Sequence, residues 1–148
     1  MDFFKTFNIS SSSLTVNRLQ MNLISSNLAN AYTTKTETGE PYRRRFMTLI
    51  PKAVEDFQSV LDSEVKDKDK ELFYGVNVDE IKKDETPFRK VFNPAHPHAD
   101  KNGYVSMPNV NVMIEMANMV TAKRSYEANV TALSTTKAMA MKALEIGK

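Results

Sequence analysis

Proline divides this chain of 148 residues into three parts. All six prolines lie between Pro41 and Pro108, while residues 1–30 and 109–148 contain none and carry a single glycine, Gly147. A proline inside a helix removes a backbone donor and collides with the preceding turn, at a cost of about 3 kcal/mol. Long helices are therefore permitted at both ends and disfavoured between them. Charge follows the same division: 3 charged side chains precede position 31, 8 follow position 108, and 27 lie between. The expected fold is mainly α with a small β-rich insert. N- and C-terminal helices pair as a coiled-coil-like core, with short strands between them. The expected boundaries are 1–30 for the N-terminal helix, 31–108 for the turn-rich outer insert, and 109–148 for the long C-terminal helix.

Periodicity supports both helices. Ser10-Ser11-Ser12-Ser13 offers N-cap hydroxyls ahead of an apolar pattern. Phe7, Leu14, Met21 and Leu28 recur every seven residues, with Asn17 and Ile24 in the complementary slot, which is the seam spacing of a helix packed on a helix. Asn27-Leu28-Ala29-Asn30 marks its end, because asparagine tolerates the left-handed turn there. In the C-terminal segment Pro108-Asn109-Val110-Asn111 reads as a start, with either asparagine as cap, and Gly147 as a stop. Glu115 falls near the positive end of the helix dipole, with Lys142 and Lys148 near the negative end. An apolar stripe runs through Val112, Met116, Met119, Tyr126, Val130, Leu133, Ala140 and Leu144, with Lys123 and Lys137 in the remaining slots.

The lengths do not match. The second helix, Asn111 to Ile146, spans about 54 Å, and a first helix of about 20 residues reaches about 30 Å at 1.5 Å per residue. Exposing half of such a stripe forfeits on the order of 6–12 kcal/mol. A partner chain is expected to complete the burial, and Met113, Met116, Met119, Met139 and Met141 suit an adaptable interface.

The insert reads as strands and turns: Tyr42 to Ile50, Phe73 to Ile81 with alternating polarity, Phe88 to Phe92, and Tyr104 to Met107. Together they predict a sheet of two to four strands. The alternating charges of Glu64–Glu71 predict a solvated loop.

Several functions are excluded or disfavoured. A net charge of +2 with mixed signs gives no field for nucleic acid. Absence of cysteine removes disulfides and thiolate metal sites. No basic leader with an apolar run opens the chain, so no cleaved signal is expected, and no window reaches the roughly 18–20 apolar residues of a membrane span. His96-Pro97-His98-Ala99-Asp100 has too few donors for a metal centre and reads as a turn. Arg43-Arg44-Arg45 reads as a surface salt-bridge set. No phosphate loop, nucleophile elbow or catalytic triad is visible, so no enzyme and no cofactor is expected.

The motifs then become specific. Asn27-Leu28-Ala29-Asn30 with Thr33 and Thr34 resembles the N-terminal signature of the bacterial flagellar rod and hook family. Gly103-Tyr104-Val105, Pro108-Asn109-Val110-Asn111, Glu115-Met116 and the stretch from Arg124-Ser125-Tyr126-Glu127 through Val130 resemble the C-terminal signature of its proximal rod members, as do Lys142 to Lys148. Pro41-Tyr42-Arg43-Arg44 and Pro87 to Pro94 resemble their middle segment. Tyr32, His98 and the run Glu64–Glu71 depart from the pattern.

The resemblance implies a structural subunit of the basal-body rod, which assembles helically through its terminal helices into the drive shaft across the periplasm. It implies partners too: copies of itself, other rod subunits, and the flagellar type III export apparatus, without cleavage of a signal peptide. Leu14, Met21, Ile24, Leu28, Met116, Met119, Tyr126, Val130, Leu133 and Leu144 are the expected seam residues between helices and subunits. Asn27 and Asn30 are expected to end the first helix and hold the linker. Arg124, Glu127 and Asn129 are candidates for polar contacts between subunits. Before assembly the ends are expected to be marginally ordered, since burial must offset conformational entropy. The alternative reading is a soluble coiled-coil adaptor that binds a partner helix.

Overall fold

The computed structural model describes residues 3–53 and 74–146. Two helices enclose four strands in chain order: α1 (Phe3–Ala29), β1 (Arg45–Ala53), β2 (Tyr74–Lys83), β3 (Arg89–Phe92), β4 (Tyr104–Met107) and α2 (Val112–Ile146). The run Glu64–Glu71, Gly147 and Lys148 lie outside the described residues.

α1 is longer than its apolar pattern. It has 27 residues and begins at Phe3, so Ser10–Ser13 are inside it rather than capping it. The serines are tolerated there because hydroxyls return to the helix: Ser12 Oγ donates to the Ile9 carbonyl at 2.7 Å. Its C-terminus also differs from expectation. Among the described residues no non-glycine has positive φ, so neither Asn27 nor Asn30 makes a left-handed turn. Instead the Asn30 side chain gives a second donor, at 2.9 Å, to the Ser26 carbonyl, which also accepts the Asn30 amide at 3.1 Å.

α2 has 35 residues. Asn111 is its cap: its Oδ1 accepts from the Met113 and Ile114 amides at 3.0 and 3.3 Å. Four threonines on α2 bond back to carbonyls four residues earlier (Thr121, Thr131, Thr135 and Thr136), which keeps a threonine-rich helix saturated. Lys142 sits just before the last turn and pairs with Glu145 at 2.7 Å.

The helices pack side by side with the C-terminal end of α1 at the N-terminal end of α2, where Asn27 bonds Glu115, so they run in opposite directions. Lengths of about 40 and 52 Å follow at 1.5 Å per residue, a smaller mismatch than the sequence suggests. Burial along α2 selects Glu115, Met119, Ala122, Tyr126, Asn129, Leu133, Thr136 and Ala140, in steps of four and three. Half of this row matches the predicted stripe. The other half is rotated by one position: Glu115, Ala122, Asn129 and Thr136 turn inward, where Met116, Lys123, Val130 and Lys137 were expected.

The insert forms two separate antiparallel pairs instead of one sheet. β1 starts at Arg45, three residues later than predicted, because residues 42–44 are committed to side-chain and loop bonds described below. β1 pairs with β2 from Arg45↔Lys83 to Ala53↔Tyr74, with a register shift between Thr48 and Leu49. β3 pairs with β4 from Arg89↔Met107 to Phe92↔Tyr104. Their connection needs Gly103: its φ is 79°, and an added Cβ would lie 2.9 Å from the Phe92 ring. The β1–β2 pair also leans on α1, where the Val76 amide donates to Ser12 Oγ at 3.3 Å. No helix among the described residues is long and apolar enough to cross a membrane.

Candidate assembly interface

Asn27 sits on the inner face of α1 and is 1% exposed. A buried carboxamide must use its donors and acceptor. Its Nδ2 donates to the Arg45 carbonyl at 2.8 Å and to Glu115 Oε2 at 3.0 Å. Its Oδ1 accepts from the Arg45 amide at 2.9 Å and from the Tyr42 hydroxyl at 3.0 Å. The side chain thus pairs with one residue of backbone as a neighbouring strand would, and it pins the first residue of β1 to α1.

Glu115, also 1% exposed, meets this amide from α2. Its other oxygen accepts from Arg44 Nε at 2.8 Å. Arg44 reaches onward to Asp84 at 3.6 Å. Asn109, a candidate cap in the sequence, instead holds the linker: its Oδ1 accepts from the Arg44 amide at 2.8 Å, and its Nδ2 donates to the Asp84 carbonyl and Thr86 Oγ1 at 3.0 and 2.9 Å. Asp84 accepts from the Thr86 amide at 3.0 Å. That bond, with the Thr86 hydroxyl and Arg44, holds its carboxyl below the usual carboxylate range. Both helices, the linker and the root of the insert therefore meet in one polar clasp. Among the described residues no buried side-chain nitrogen or oxygen lacks a partner.

The clasp explains the rotated stripe. With Glu115 held inside, a seven-residue step brings Ala122, Asn129 and Thr136 inside as well. Met116, Val130 and the two lysines at 123 and 137 are then turned out. Of the predicted seam residues, Ile24 is buried, and Leu14, Met21, Leu28, Met119, Tyr126 and Leu133 are half-buried between the elements. Met116, Val130 and Leu144 are exposed, Leu144 at 71%. Met113, Val120, Met139 and Met141 are exposed too. Asn129 belongs to the inner row. Glu127 pairs with Lys123 on its own helix at 3.7 Å, and Arg124 makes no ion pair with another described residue.

Asn27 and Asn30 were singled out from sequence, though for a different geometry. Tyr42, Arg44, Asp84 and Glu115 were not foreseen as one group. One signal was available: Glu115 stands one step from the apolar stripe in the first turns of a charge-poor helix. The His96–Asp100 segment is a turn, with the His96 and His98 rings 5.3 Å apart. Thr34 and His98 join it to the linker at 2.9 Å. No cluster able to hold a metal occurs among the described residues.

Comparison with known proteins adds an independent observation. The family described as flagellar basal body rod FlgEFG protein C-terminal matches residues 101–146. The whole chain is similar to the flagellar basal-body rod protein FlgC of Bacillus subtilis (strain 168), 45% identical over 152 residues with 100% of both chains covered. It is 40% identical over 151 residues to the FlgC of Aquifex aeolicus (strain VF5), covering 100% of this chain and 99% of the other. It is 38% identical over 151 residues to that of Borreliella burgdorferi, covering 99% and 98%.

Proposed function

The chain belongs to the FlgC family of flagellar basal-body rod proteins, and from that membership we propose how its helices and insert build a rod. It is a structural subunit of the basal-body rod and not an enzyme. Residues 1–30 and 109–148 form the inner, axial layer, with α1 and α2 paired in the manner of a coiled coil. Residues 31–108 form the outer layer.

One observation carries this reading. Beside the row that meets α1, α2 leaves Met113, Met116, Val120, Val130, Met141 and Leu144 exposed. These fall on seam spacing, at intervals that sum from threes and fours. A face of that kind costs stability in water and gains it against helices of neighbouring subunits. Repeating such a contact head to tail gives an open helical assembly. Its partners are copies of itself and other rod subunits. Interdigitated helices supply the stiffness that a shaft transmitting torque across the periplasm requires. Export by the flagellar type III apparatus, without a cleaved signal peptide, completes the proposal. Two slender helices and small hairpins suit a chain that must pass a channel unfolded.

The test is Val130→Asp, on the outward face. The purified subunit should fold as the parent does, while cells carrying the variant should make basal bodies that lack a completed rod. Normal swimming of that strain would refute the assignment of this face.

A further inference from the structure

The three consecutive arginines separate. Arg44 enters the clasp, while Arg43 and Arg45 line a concavity of about 240 Å³ at the root of the β1–β2 pair, together with Lys83, Glu37 and Glu40. Arg45 and Lys83 are direct cross-strand partners. Like charges placed opposite one another on antiparallel strands repel. Elsewhere a basic residue of the same hairpin is relieved by an acid, as Lys82 is by Glu80 at 3.5 Å. Arg43, Arg45 and Lys83 form no ion pair with any described residue, although Glu37 and Glu40 line the same hollow.

Both arginines are also held in place. The Arg43 guanidinium lies 4.2 Å from the Phe88 ring centre, and that of Arg45 lies 5.8 Å from that of Tyr42. The Arg45 backbone is fixed on both sides by Asn27. Stacking removes water from one face of a guanidinium and leaves edge donors for a planar acceptor; one Arg43 donor is already spent on the Asp84 carbonyl, at 3.4 Å. Pre-ordered arginines of this kind lose little entropy on pairing and are typical anchors of protein interfaces.

We propose that this concavity is a docking surface for a carboxylate-bearing segment of another protein chain, held by Arg43, Arg45 and Lys83. Glu37 and Glu40 favour a protein partner of mixed charge over a nucleic-acid backbone, whose continuous phosphates they would repel. The surface lies on the insert and is separate from the outward face of α2, so it adds a contact that the helices do not provide.

A hexapeptide of alternating glutamate and lysine is the probe, titrated into the isotope-labelled full chain at low salt with amide resonances as readout. Shifts should concentrate at residues 36–45 and at Lys83, and should fade as salt shortens the screening length below about 10 Å. Arg45→Gln and Lys83→Gln should each weaken binding about fivefold, the scale of an exposed charge pair. Lys101→Gln, on the far hairpin, should leave binding unchanged. If Arg45→Gln disturbs the fold, seen as altered circular dichroism, Lys83→Gln decides alone. Absence of binding, equal weakening by Lys101→Gln, or tighter binding of a hexathymidylate oligonucleotide would each overturn the proposal. Peptide binding needs no assembly, so its failure is distinct from a failure of the rod reading, which Val130→Asp reports in cells.

Discussion

Asn27 shows how much one side chain can commit. It bonds the linker backbone on both sides, the Tyr42 hydroxyl and the Glu115 carboxylate. Truncation leaves several buried polar groups short of a partner, and each such group costs about 1–3 kcal/mol. Asn27→Ala should therefore lower unfolding stability by about 2–4 kcal/mol, with the denaturant slope unchanged. Urea titration measures it, and a loss below about 0.5 kcal/mol, the level of an ordinary surface change, would contradict the clasp. Asp84 makes the clasp sensitive to acid. Its folded-state carboxyl, bonded first by the Thr86 amide, titrates below its ordinary value of 3.8. Such a group stabilises the fold above that ordinary value, and the contribution disappears as pH falls through the lowered folded value. Melting temperature should drop as pH is lowered past about 4, and Asp84→Asn should make that limb shallower. An unchanged acid limb in the variant would show that Asp84 is not its source.

At the scale of elements, α2 presents two faces of different chemistry. The inner row is small or polar at every second slot (Glu115, Ala122, Asn129, Thr136), which lets α1 approach closely. The outer row is exposed and mixes Met113, Met116, Val120 and Val130 with Lys123, Glu127 and Lys137. Substitution on the outer row should thus barely change the subunit: Val130→Asp is expected within about 0.5 kcal/mol of the parent in monomer stability, although it should abolish assembly. The start of α2 depends on Asn111, whose Oδ1 holds two amides. Asn111→Ala should cost about 1 kcal/mol, read as a lower urea midpoint. In the β3–β4 pair Gly103 has a counterpart role. Gly103→Ala combines a left-handed backbone with a clash on Phe92, and should loosen the edge-on contact between Phe92 and Tyr104. Near-ultraviolet circular dichroism would report that change.

Across the whole molecule, burial is densest around the clasp, with Val16 on α1 and Val105 on β4 buried outside it. Ile24, Asn27, Ala31, Tyr42, Glu115 and Ala122 are buried around the clasp, and no described residue of α2 beyond Ala122 is. Away from the clasp, a helix held on one side only is marginal in water. Amide exchange in the isolated subunit should therefore be slowest at Asn27, Arg45 and Glu115, and fast beyond Thr136. Uniform protection along α2 would refute this gradient. The ends of such a chain are not alike: one half is held by its own clasp, and α2 beyond Ala122 has no buried residue among those described. Much of this was legible in the chain itself. Absence of proline and the seven-residue spacing required two terminal helices and a turn-rich insert, because those constraints act locally on φ and on helix periodicity. Signature residues around Asn27 and Pro108–Glu115 pointed to the family for the same reason, being contiguous. The face of α2 that meets α1 was decided only in three dimensions. Glu115, Asn27 and Arg44 are far apart in sequence, and hydrophobicity alone turns a carboxylate outward. Only when an amide and a guanidinium arrive from other elements does burying that carboxylate become favourable, and its rotation carries every seventh residue of the helix with it.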